Sequence, residues 1–67
     1  MDISEIGLNA GKIWNYLSKK NDYVDVIELK FELNITNTSL FLAIGWLARE
    51  EKILILQEGN KLKIKLR

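Results

Sequence analysis

The chain has 67 residues, 48% of them hydrophobic, a net charge of +1, and neither cysteine nor histidine. So short a chain buries only about 60% of the surface its unfolded form exposes. Without Cys or His it has no disulfide or ordinary zinc site to reinforce its core, which leaves self-association as the available route. The charge is uneven: residues 61–67 carry three Lys and one Arg, a local +4, so the preceding residues sum to −3. Binding to polyanions through the whole surface is therefore not expected, whereas a local basic strand is. No apolar run approaches the ~20 residues of a membrane-spanning helix. The acidic start Met1-Asp2-Ile3-Ser4-Glu5 leads into no signal-like core. These features point to one domain over residues 1–67 of a cytoplasmic protein.

Residues 2–20 read as the first helix. Asp2 and Glu5 have the spacing of a capping box, with Ser4 as an alternative cap. Ile6, Ala10, Ile13, Trp14 and Leu17 recur at three- and four-residue spacing and form one face. Gly7 and Gly11 lower helix propensity, and their spacing puts them on one side. Close packing within the domain is the expected reason; a helix–helix contact between two copies is the other. Lys19-Lys20 suits the negative end of the helix dipole.

Asn21-Asp22 is a turn, and Tyr23-Val24 suits a short edge strand paired with something distant. Asp25-Val26-Ile27-Glu28 is a second capping box, opening a helix that runs to Leu33 with Leu29 and Leu33 inward. Asn34 ends it, since Asn tolerates the left-handed conformation that such stops need. Thr36 is the expected N-cap of the third helix, with Asn37 the choice if the start slips by one. The spacing between these two helices is that of a helix-turn-helix. Leu40, Ala43, Ile44 and Leu47 form the inner face of the third helix, and Glu50-Glu51-Lys52 closes it.

Ile53 to Glu58 is β-branched and apolar and reads as a strand. Gly59-Asn60 is a two-residue hairpin signal. Lys61 to Arg67 alternates strictly, as a strand with one wet face does. The turn sets the register. Gln57–Leu62, Ile55–Ile64 and Ile53–Leu66 are expected on the core side, and Glu58–Lys61, Leu56–Lys63 and Leu54–Lys65 on the outer side. The order helix, short strand, helix, helix, strand, strand makes an α+β winged helix-turn-helix with the hairpin as its wing.

The strings Ala10-Gly11-Lys12-Ile13-Trp14, with Leu17, then Leu29-Lys30, then Leu42-Ala43-Ile44-Gly45-Trp46-Leu47-Ala48-Arg49-Glu50-Glu51-Lys52-Ile53, carry a resemblance across almost the whole chain. They resemble the small stand-alone winged helix-turn-helix domains once filed as a domain of unknown function. The resemblance implies the fold and a DNA-binding-type scaffold, and it brings no established ligand. Ser39 stands where members often carry an acidic residue three positions after the third-helix cap, and Asn34 where Gly is common.

Catalysis finds no support. Without His or Cys the available nucleophile–base pairs are few, and Ser4, Ser18 and Ser39 have no basic partner in sequence. Capping and turn roles explain Asp22 and Asp25 better than an ion does. Adjacent Glu50 and Glu51 point different ways, and the glycines match no phosphate loop. No enzyme activity, metal or cofactor is expected.

Nucleic-acid binding rests on two places. The third helix occupies the position of a recognition helix, with Asn37, Thr38 and Ser39 at its tip and Arg49 late on its outer side. The wing offers Lys61, Lys63 and Lys65 (with Arg67) on one face, suited to phosphates. The same lysines also describe a solvated edge that resists aggregation. Against DNA readout, the outer arc of the helix holds Phe41, Leu42, Gly45 and Trp46 where base readers carry hydrogen-bonding side chains. An apolar patch on so small a domain marks an interface, and Gly45 would admit a second helix. Leu54 and Leu56 add to it on the lysine face. Trp14 and Trp46 are otherwise expected in the core. The expectation is a small homodimeric winged-helix protein acting as a DNA-binding transcriptional regulator or accessory factor. The alternative is a protein–protein interaction module that keeps the scaffold without DNA readout.

Overall fold

Each helix begins where a short polar side chain can take up backbone N–H groups left free at a helix start. In the computed structural model, which describes residues 1–67, α1 spans Ile3–Ser18, β1 Val24–Asp25, α2 Val26–Leu33, α3 Asn37–Arg49, β2 Ile53–Glu58 and β3 Lys61–Leu66. Asp2 caps α1 by accepting from the Glu5 N–H at 3.0 Å and from the Ser4 hydroxyl at 2.6 Å. Asp25 caps α2 through the Ile27 N–H at 2.9 Å. Thr36 caps α3 through the Ser39 N–H at 3.1 Å. The box expected at Asp25–Glu28 closes on one side only: Glu28 turns to Tyr16 and Lys20 of the α1 end instead.

The ends of α2 and α3 use left-handed residues. Asn34 (φ 52°) stops α2, and its N–H and that of Ile35 both donate to the Lys30 carbonyl. After α3, Glu51 takes φ 59°. Its N–H donates to the Ala48 carbonyl and that of Lys52 to the Leu47 carbonyl, the pair of bonds that defines a Schellman stop.

The sheet is antiparallel with order β1-β3-β2. All six β2–β3 pairs fall in the register expected from the turn, from Glu58↔Lys61 to Ile53↔Leu66. Gly59 supplies the positive φ (61°) of the turn, as the first central position of a tight hairpin requires. β1 pairs Val24 with Ile64 and Asp25 with Lys63. The lysine strand is thus the central strand, not an edge, because two residues from the distant Tyr23–Asp25 segment add to its far side.

The core is twelve buried residues, all apolar, drawn from every element. Ile13, Leu17, Leu29, Leu40 and Ile64 are fully enclosed at its centre. Leu40, Ala43, Ile44 and Leu47 line α3 inward as expected. Three expectations fail. Trp14 and Trp46 are not core residues; they are 43% and 37% exposed. Gly7 and Gly11 do not admit a neighbouring backbone, since a Cβ on either would meet open space. Ile55 lies on the core side of the sheet by register yet is 50% exposed.

Candidate nucleic-acid and protein contact surfaces

The start of α3 is open. Asn37 and Thr38 are exposed and Ser39 is half-buried. Thr36 occupies the Ser39 N–H, while the side chains of Asn37, Thr38 and Ser39 make no hydrogen bond within the domain. A helix start with free donors and a favourable dipole attracts phosphate. Thr38, Leu42, Gly45 and Arg49 follow one another at three- and four-residue spacing along the outermost line of the helix. Arg49 is exposed and takes no carboxylate partner.

The wing lysines differ from one another. Lys61 is exposed and unpaired. Lys63 is 3.0 Å from Glu58 across the hairpin. That hydrogen bond, then the Glu58 charge, then the charges of Asp25 and Asp22, hold its ammonium above the ordinary range. Lys65 places its ammonium 5.5 Å from the centre of the Tyr23 ring, a cation–π distance. The basic face read from sequence is therefore partly neutralised by acids that β1 and the hairpin bring beside it. No hydrogen bond or ion pair joins these lysines to Asn37, Thr38, Ser39 or Arg49, and α3 meets the sheet at β2.

The apolar arc of α3 is in solvent, as its sequence suggested. Phe41 is half-exposed, Leu42 is 44% exposed, and Gly45 is open to approach. Trp46 leans to the α1 side. There it and Trp14 border a groove of about 280 Å³ that also takes in Gly7, Gly11, Glu50 and Lys52. The glycines are thus the floor of an open groove and not a packing contact. On the sheet, Leu54 is exposed and Leu56 half-buried.

Further apolar residues escaped sequence reading, among them Ile3 and Leu8 on α1. Ile27 and Phe31 (74% exposed) stand one turn apart on the outside of α2. Leu29 and Leu33 face inward as expected, but the outward patch that Ile27 and Phe31 make at four-residue spacing was not read from the sequence. Ile55 is another. No group of acidic side chains is placed to hold a metal ion. Asp22 accepts from the Tyr23 N–H and Asp25 caps α2.

Three helices, the second and third in helix-turn-helix succession, with a hairpin closing a small sheet, define a winged helix-turn-helix domain. The chain belongs to the family Winged helix-turn-helix domain (DUF2582), whose model matches residues 1–66. It is 39% identical over 64 residues to the uncharacterized protein MJ1608 of Methanocaldococcus jannaschii, covering 94% of this chain and 91% of that protein. The solution NMR structure of protein BT2368 from Bacteroides thetaiotaomicron is similar at a TM-score of 0.84 and 38% identity, over 98% of this chain and 79% of that one. No helix is long and apolar enough to cross a membrane.

Proposed function

We propose that this is a cytoplasmic homodimeric winged-helix protein, a binding protein and not an enzyme, that contacts double-stranded DNA as a transcriptional regulator or accessory factor. The observation that carries the reading is the start of α3. Asn37, Thr38 and Ser39 are polar, free of intradomain partners, and placed where a helix-turn-helix meets the groove. Arg49 and Lys61 are the unpaired cations that join them. Lys63 and Lys65 contribute less, because Glu58 and Tyr23 already engage them. Contacts of this kind go to phosphates and give affinity with little choice of sequence.

Titration of duplex binding against salt tests this. Binding should weaken steeply as salt rises, and Lys61→Ala should lower the salt slope by about one on every duplex tried. Lys63→Ala should change it less. No binding at low salt ends the DNA reading.

A second reading, a protein-interaction module without DNA readout, is favoured by the exposed arc of Phe41, Leu42, Gly45 and Trp46. Under it, Leu42→Asp abolishes partner binding while Lys61→Ala has no effect.

A further inference from the structure

We propose that β2 is the seam of the homodimer: the β2 strands of two copies pair antiparallel about a two-fold axis at Ile55, joining two three-stranded sheets into one. This rests on the reading that the protein is a homodimer, and assigns where the two copies meet.

β2 is an outer strand of the sheet. The opposite edge, β1, is two residues long and runs directly into α2, so it offers little to a partner. β2 has six residues and an unbroken register with β3. Natural edges are protected by lysine, proline, a bulge or shortness. Ile53-Leu54-Ile55-Leu56-Gln57 has none of these, and the one charge in β2 is Glu58 at its end.

The direction of its backbone groups follows from one bond. The Arg67 N–H donates to the Lys52 carbonyl at 3.0 Å. In an antiparallel ladder bonded and non-bonded pairs alternate, so Lys52 turns its C=O toward β3, and Leu54, Leu56 and Glu58 turn both their N–H and C=O groups there. Ile53, Ile55 and Gln57 turn theirs to the open side. A two-fold axis at Ile55 sets Ile55 against the partner's Ile55 and Ile53 against the partner's Gln57. All of these are outward-turned, and each pair exchanges both backbone bonds.

The side chains agree with this register. On the lysine face Leu54 meets the partner's Leu56, which accounts for the two leucines there. On the other face the half-exposed Ile55 is covered by its own copy. At each end Lys52 faces the partner's Glu58, opposite charges across the strands. Moving the axis one residue either way loses this match: Leu54 then opposes the partner's Glu58, or Lys52 opposes the partner's Leu56. The α3 tip and Lys61 take no part in the pairing and stay free.

Two measurements on the full chain test the seam. Hydrogen exchange on the dimer should slow the Ile55 amide at least about tenfold relative to a dilute monomeric sample. Exchange of that amide at the rate of an unstructured chain overturns the proposal, whatever any variant does. In sedimentation, Ile55→Lys should raise the dimer dissociation constant at least about tenfold with an unchanged circular dichroism spectrum, while Leu42→Asp stays dimeric. Glu58→Lys should weaken the dimer, and adding Lys52→Glu should restore it. A dimer lost on Leu42→Asp and kept in Ile55→Lys puts the contact on α3 and defeats the seam alone. A wild-type chain that is monomeric at high micromolar concentration defeats the homodimer reading itself.

Discussion

Single residues decide how tightly the helices are delimited. Thr36 is the one side chain that takes up a free N–H at the start of α3, and no acidic residue in the first turn assists it. Thr36→Ala should therefore cost about 1 kcal/mol of unfolding free energy, read by chemical denaturation. Glu51 has the opposite sign. It holds φ 59° at the end of α3, a conformation that costs a residue bearing a Cβ about 1 kcal/mol. Glu51→Gly should recover most of that, because the Schellman bonds to Ala48 and Leu47 use backbone only. The N-caps were legible in sequence, since an Asp or Thr ahead of an apolar period has a local cause. Glu51 was not, because nothing local distinguishes it from Glu50; the position is set by where Ile53 must enter the sheet.

Between elements, the most specific polar contact is the group at the joint of α1 and α2. The Tyr16 hydroxyl donates to Glu28, Lys20 lies 3.5 Å from the same carboxylate, and the Lys20 ammonium sits 5.1 Å from the Tyr16 ring centre. The hydrogen bond to Glu28 raises the Tyr16 pKa above its ordinary 10.0. Hydrogen bonding to Tyr16, then the charges of Tyr16 and Glu28, raise that of Lys20 above 10.5. Both groups bind their protons more tightly folded than unfolded. Their stabilisation is complete below the ordinary values and is lost as pH rises through the folded ones. Asp2 acts at the other limit. The Ser4 hydroxyl and then the Glu5 N–H hold its pKa below 3.8, so its contribution is present above that value and lost as pH falls through the folded one. The thermal midpoint should thus be level across neutral pH and fall above about pH 10. Glu28→Gln should flatten the alkaline fall and leave the acid limb in place. A midpoint that falls equally in Glu28→Gln removes the cluster from the explanation.

At the scale of the whole molecule, a small core and a large apolar exterior occur together. The twelve core residues are enclosed, while Trp14, Phe31, Leu42 and Ile55 stand in solvent on different sides. Leu42→Asp should accordingly change unfolding free energy by no more than about 0.5 kcal/mol, as exposed sites do. Leu40→Asp, on the enclosed side of the same helix, should unfold the domain. Denaturation of the two variants side by side checks which face of α3 is inward, independently of any partner.

Local pattern was enough for the order of elements, the Asp25 cap, the Asn34 stop, the inward side of α3 and the whole β2–β3 register, and it narrowed the other two N-caps to Asp2 or Ser4 and to Thr36 or Asn37. Each of these has a local cause: a capping oxygen, a period of 3.6 or 2, a two-residue turn. Tertiary structure alone decided that the lysine strand is central, that acids from β1 and the hairpin sit beside its lysines, that Gly7 and Gly11 floor an open groove, and that both tryptophans remain outside the core. Those outcomes depend on which distant segments meet, and that is not written in any one stretch of the chain. Ile55 shows the division most plainly. Alternation put it on the core side of its strand together with Ile53, but only the tertiary structure shows that the core covers Ile53 and leaves Ile55 half exposed.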